Sequence, residues 1–274
     1  MRLNPANGYY VQTIDGLTGI SASFESVKAI SGHGESITRE TIQPKPLTIK
    51  GLVLDGNTNA KQKLLDVLLA GEECLLTIYQ GYISHSALVI QGRATPYRQT
   101  KAFVKQSPII TQETHSKFSF VLTMPNPYWE DVTARTVTVT SVAPNTAPTI
   151  TGSVAPEFEY KYINSTNSYG ATLYCGTNLV DAAYLYFNYT LLPGGYLPAG
   201  STVHLWRENG RLRLTRTANN VTNENIIQAL YTNSTLWYLP VGNANKYWMS
   251  ADGNFTNAKI TYRPLYSGVL VDGV

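Results

Sequence analysis

The residues able to do chemistry are few and scattered. The four histidines, His33, His85, His115 and His204, stand far apart in the chain and in different contexts. Two carboxylate pairs, Glu72-Glu73 and Glu130-Asp131, fall in turn-like stretches and read as solvated charge. A glycosidase needs two carboxylates flanking a cleft, and chain spacing alone does not place these pairs across one. Gly32-His33-Gly34-Glu35 is glycine-rich but lacks a dinucleotide fingerprint, so it reads as a hairpin turn. The chain has no Gly-x-Ser-x-Gly elbow, no His-Glu-x-x-His helix and no Walker loop. Cys74 and Cys175 are too far apart for metal-ligand spacing, and both lie in apolar, strand-like runs. They read as buried, reduced thiols. The expectation is a non-enzyme with no catalytic residues, no metal and no cofactor.

The aromatic residues are the sharper feature. Nineteen Tyr stand against seven Phe and four Trp. Trp206, Trp237 and Trp248 lie in the second half. Exposed Tyr and Trp rings anchor protein interfaces and stack on sugars. For Trp206 the plainest reading lays the ring over a cross-strand arginine, Arg213, as a cation–π pair. A protein interface comes second and a sugar-stacking platform third.

The elements that must position these residues are mostly strands. Only 14% of the 274 residues are charged, and the net charge is +3. Polarity comes instead from 31 Thr and 20 Asn. Thr, Tyr and Val favour strands, and Asn and Gly favour turns. This excludes coiled coils, helical bundles, disordered tails and collagen-like chains. So small a charge does not suit a protein that coats duplex DNA. No apolar run approaches the ~20 residues that span a bilayer, so no membrane insertion is expected. The first eight residues hold no apolar h-region, so no secretory signal is expected there. Five Asn-x-Ser/Thr sequons then follow from composition alone.

Leu47–Leu54 is strand-like and stops at Asp55-Gly56. Leu64, Leu65, Leu68 and Leu69 then recur at helical spacing within Asn59–Ala70, with Gly71 as the stop. Strand signals return at Cys74–Tyr79, Ala87–Gln91 and Lys117–Thr123. Between the last two, Thr95–Thr114 has two prolines, Arg98, Lys101 and Lys105, but no clear period. Long aperiodic stretches inside a domain are usually functional. This one is expected to be an arm or long hairpin leaving the domain, carrying Arg98, Lys101, Phe103 and Lys105. The Pro-rich stretch Met124–Asp131 precedes a shift in composition, since 15 of the 20 Asn lie beyond residue 140. That places a boundary near residue 135. The second half reads as many short strands, which suggests a sandwich. Its clearest element is a hairpin, Val203–Glu208 and Arg211–Arg216 joined by Asn209-Gly210. Pairing across that turn sets Glu208 opposite Arg211, Trp206 opposite Arg213 and Leu205 opposite Leu214. Thr222–Leu230 reads as a short helix or a strand.

In order, these features resemble the distal tail protein (Dit) family of siphophages infecting Gram-positive bacteria, prophage copies included. The resemblance is carried by Val11–Leu17, the strand–helix–strand unit Leu47–Tyr79, and Phe118–Leu122 running into Pro125-Asn126-Pro127-Tyr128-Trp129. It is also carried by Trp237–Asn243 with Ile260–Tyr266. It implies a mainly β chain in two domains. Residues 1–135 would be an N-terminal β-barrel-like ring domain with one α-helix. Residues 136–274 would be a C-terminal galectin-like β-sandwich. Six copies would form a ring at the distal end of the phage tail. That ring would join the tail tube protein to the tail-associated (Tal) protein, beside receptor-binding proteins, and DNA would pass without sequence-specific binding. The chain would be made in the host cytoplasm and end in the virion. The competing reading is a host-surface carbohydrate-binding adhesin acting through the C-terminal domain, with Trp206, Arg213, Trp237 and Trp248 as stacking or interface residues. A cell-wall hydrolase is the third.

Overall fold

In a computed structural model the protein is mainly β, with one α-helix and a curled, half-barrel sheet. The structure describes residues 3, 7–28, 35–54, 58–80, 95–111, 116–142, 144, 146–178, 180–208, 211–218, 221–232, 234 and 239–268. The turns at Gly32–Glu35, Asp55-Gly56 and Asn209-Gly210, the strand expected at Ala87–Gln91, and Trp237 fall wholly or largely outside these residues. The chain divides into two compact units, Met1–Val132 with Tyr266–Val274, and Thr133–Leu265. The described residues 266–268 thus group with the first unit.

The first unit contains β1 (Tyr9–Asp15), β2 (Ala22–Lys28), β3 (Glu35–Ile42), β4 (Lys45–Val53), α1 (Thr58–Val67), β5 (Glu73–Gln80), β6 (Thr95–Ile110), β7 (Lys117–Met124) and β8 (Trp129–Asp131). A seven-stranded sheet runs β1-β4-β7-β6-β8, closes with the short strand at Leu265–Tyr266, and has β5 paired on β6. β2 and β3 form a separate antiparallel ribbon. Strand β4 alternates burial residue by residue, with Leu47, Ile49 and Val53 inward and Lys50 outward. β7 does the same with Phe118, Phe120, Leu122 and Met124. Period-2 patterns of this kind specify register, because a slip of one residue would turn the apolar set to solvent. The observed register sets Leu47 opposite Leu122 and Ile49 opposite Phe120.

Gly51 faces Phe118 in that register. A Cβ there would press on the Tyr10 carbonyl oxygen and lie 2.7 Å from Phe118 Cζ. Gly51→Ala should therefore destabilise the unit by ~2 kcal/mol through overpacking. A urea titration against the parent chain checks this.

Helix α1 buries Ala60 and Leu64, and the Tyr9 hydroxyl donates to the Ala60 carbonyl at 2.8 Å. It ends at Val67, three residues short of the expected Ala70. Leu68 still donates to Leu64 at 3.3 Å, but Gly71 takes a positive φ of 92° and its N–H goes to Val104 of the sheet at 2.8 Å. Glycine suits that turn because it lacks the Cβ that resists positive φ.

The segment expected to leave the domain does not. β6 lies inside the sheet, paired to β5 along one edge and to β7 and β8 along the other. Its inward residues before the bulges are Arg98, Thr100, Ala102 and Val104, which are polar or small. Irregularities at Val104/Gln106 and Gln106/Ile109 then shift the phase. No apolar alternation survives in the sequence, although the backbone is regular enough to pair.

The second unit contains β9 (Arg135–Thr138), β10 (Phe158–Asn164), β11 (Gly170–Gly176), β12 (Ala183–Asn188), β13 (Thr202–Glu208), β14 (Arg211–Ala218), β15 (Val221–Asn225), β16 (Lys246–Ala251) and β17 (Phe255–Tyr262). One sheet has the order β15-β14-β13-β10-β17-β9, the other β12-β11-β16. Their inner faces share one core. Tyr160, Tyr162, Val203, Leu205, Leu214 and Ile260 come from the first sheet, and Leu173, Leu185, Phe187, Tyr247 and Met249 from the second. This is the packing of a β-sandwich. The β13–β14 register pairs Glu208 with Arg211, Trp206 with Arg213 and Leu205 with Leu214, as the sequence pattern predicts. Thr222–Leu230 begins in strand β15, which ends at Asn225, and continues into a 3₁₀ turn at Ile227–Ala229.

Candidate functional site

Strands β10, β13 and β14 present a charged, aromatic outer face. Inward Tyr160, Val203, Leu205 and Leu214 are buried, so their neighbours Glu159, Lys161, His204, Trp206 and Arg213 turn outward. Adjacent register brings Lys161 beside His204 and His204 beside Thr215. The Glu159 carboxylate ion-pairs with Lys161 and approaches His204 Nε2 at 2.8 Å. The His204 ring stacks on Trp206 with centroids 4.0 Å apart and planes at 21°. The arginine expected under Trp206 holds the predicted register position, and a histidine two residues back on the same strand provides the stacked ring.

Burial lowers the His204 pKa from its usual value of 6.5, and the Lys161 ammonium lowers it further; Glu159 opposes both. The folded state thus binds this proton less readily than the unfolded chain. By linkage the neutral-His204 contribution is present above pH 6.5 and is lost as pH falls below it. His204→Gln should therefore flatten the decline in stability below that pH. Thermal melts across the acid range would show the change in slope.

The other tryptophans stand differently. Trp248 is 5% exposed and lies stacked against Tyr174, with centroids 5.1 Å apart and planes at 12°. It is a packed ring and offers no open face to a sugar, which corrects its expected role. The open aromatics nearby are Tyr184 and, half-buried, Tyr174 and Tyr186.

Of the expected arm residues, Arg98 is interior. It is 8% exposed, with its guanidinium 3.6 Å from Asp131 and 3.7 Å above the Tyr266 ring. Lys101 is solvated and pairs with Glu73 at 3.4 Å, a contact worth little at this exposure. Phe103 and Lys105 are exposed on the sheet's outer face. The sequence signal for Arg98 was weak, because its acceptor and its ring lie 33 and 168 positions away in the chain.

Cys175 is buried, which raises its thiol pKa to about 11; Cys74 is half-buried, and both are free. Among the described residues no group of three or more His, Cys, Asp or Glu is placed to hold a metal ion. Among the same residues no helix is long and apolar enough to cross a membrane.

No protein-family model matches the chain, and no match is found among curated proteins. Among solved structures, the SPP1 Dit protein (gp 19.1) aligns over 95% of this chain and 94% of its own, with a TM-score of 0.66 at 15% identity. The chain has the Dit fold. That crystal structure presents SPP1 Dit as a paradigm of the hub of the adsorption apparatus in phages infecting Gram-positive bacteria. Structures of the phage P2 baseplate in its activated conformation, with Ca and with Sr, align over 96% of the chain and 92% of theirs. Their TM-scores are 0.47 and 0.45, each at 8% identity. In this Dit fold the half-barrel sheet with its helix comes first in the chain and the sandwich second.

Proposed function

We propose that this protein is a structural hub of a phage or prophage tail tip, and not an enzyme. The observation that carries the reading is the likeness to SPP1 Dit from end to end of both chains. In this reading six copies form a ring at the distal end of the tail. The ring joins the tail tube protein on one side to the Tal protein on the other, receptor-binding proteins attach around it, and DNA passes without base readout. The surface supports association: Leu65, Leu69, Leu75, Phe103 and Ile109 are exposed apolar side chains of the first unit. Few charges need desolvation when such a surface is covered.

Co-expression with the tail tube and Tal proteins of the same phage, followed by native mass spectrometry, tests the assembly. The hub reading expects a complex holding six copies of this chain. A chain that stays monomeric in the presence of both proteins would count against it. A carbohydrate adhesin is the second reading. It loses Trp248, which is packed against Tyr174, but the tyrosines beside that residue give it a different surface.

A further inference from the structure

The outward face of the three-stranded sheet carries a row of rings. Register places Trp248, Tyr174 and Tyr184 side by side across β16, β11 and β12, with Ser250, Thr172 and Tyr186 in the next row. Beside the packed Trp248–Tyr174 pair lies a shallow groove of about 500 Å³, lined by Thr172, Tyr174, Val180, Ala182, Tyr184 and Tyr186.

Both margins of the groove are fixed by hydrogen bonds. On one side Asn178 Oδ1 accepts from the N–H groups of Val180 and Asp181 at 2.9 and 3.1 Å, and Asn178 Nδ2 donates to Asp181 at 3.0 Å. This turn holds Val180 almost wholly in solvent, at 92% exposure. On the other side Tyr231 N–H donates to the Tyr186 carbonyl at 2.9 Å, and its ring meets Tyr186 edge-on at 5.6 Å. Ser234 Oγ accepts from Tyr186 N–H at 2.9 Å. The two margins are therefore organised before any ligand arrives, which limits the ordering cost of binding.

The lining selects a ligand class. Three phenol rings offer flat π faces and hydroxyls, and Thr172 adds another hydroxyl. Among the described residues that line the groove none is acidic or basic, so a charged ligand would give up hydration without gaining a partner there. A purely hydrocarbon ligand would leave the hydroxyls unmatched, and unmatched polar groups are penalised on burial. A pyranose matches both features, with a C–H face for the rings and hydroxyls for the rim. We propose that this groove binds a neutral saccharide, with Tyr174, Tyr184 and Tyr186 as the stacking residues. The site stands on its own geometry and holds whether or not the chain forms a ring.

The test is calorimetric titration of the full chain with chitohexaose, cellohexaose and maltohexaose. At least one should bind with a dissociation constant below about 1 mM. Tyr184→Ala should weaken that binding at least about tenfold, while Tyr184→Phe, which keeps the ring, should stay within about threefold. Trp206→Ala, on the other sheet, should leave it unchanged. Circular dichroism of each variant confirms the fold. The proposal is overturned if none of the three sugars binds to folded protein, or if Tyr184→Ala binds as the parent does.

Discussion

Arg98→Met should destabilise the first unit by ~3 kcal/mol, whereas Lys101→Met, three residues along the same strand, should change stability by less than ~0.5 kcal/mol. The two residues share a strand and a charge but not an environment. Arg98 is almost fully enclosed, with the Asp131 carboxylate 3.6 Å from its guanidinium and the Tyr266 ring 3.7 Å beneath it. Methionine fills much of the same volume and keeps the apolar contact with the ring. It removes the cation, so a carboxylate that is itself largely buried loses the guanidinium beside it. Breaking one half of a buried pair is costly because the remaining charge stays desolvated. Adding Asp131→Asn to Arg98→Met should recover part of the loss, since the carboxylate charge is then removed with the cation. Chemical denaturation of the four chains measures all these terms. Equal losses at Arg98 and Lys101 would contradict the clamp.

Phe187→Ala should cost the second unit about 3–5 kcal/mol. Phe187 is fully buried on β12 and stacks between Tyr160 at 6.4 Å and Tyr189 at 6.3 Å. Its removal leaves a cavity beside two phenols, and the Tyr189 hydroxyl is already committed to that of Tyr162. Tyrosines held by such bonds have little freedom to collapse into the space, which is the condition under which a cavity costs most. Phe187→Leu, which leaves a smaller void, should cost less than half as much. Hydrogen exchange read by mass spectrometry would localise the effect. Protection should fall in peptides from residues 133–265 and hold in those from β4 and β7.

The sequence was legible where one face of a strand is apolar and the other polar. β7 and the β13–β14 hairpin follow that rule, with Phe118, Phe120 and Leu122 and then Val203, Leu205 and Leu214 inward; β4 was legible as a strand without its faces. β6 hid because its inward face carries Arg98 and Thr100 and its phase shifts twice. The tyrosine groove hid for the opposite reason. In β11 and β12 the inward Leu173, Leu185 and Phe187 alternate with outward Tyr174, Tyr184 and Tyr186, so both faces read as hydrophobic. Tryptophan content pointed to Trp248, yet Tyr247, Trp248 and Met249 are buried in succession. No local pattern separates a packed ring from an open one when the strand is covered on both sides. Tyr266 belongs with these cases, since its place over Arg98 depends on chain folding across most of the sequence.

Cryo-electron microscopy of the phage particle tests the central claim most directly. The account predicts a sixfold ring at the distal end of the tail tube, into which six copies of this two-unit chain fit. An intact, infectious tail whose tip has no density for this chain would contradict it.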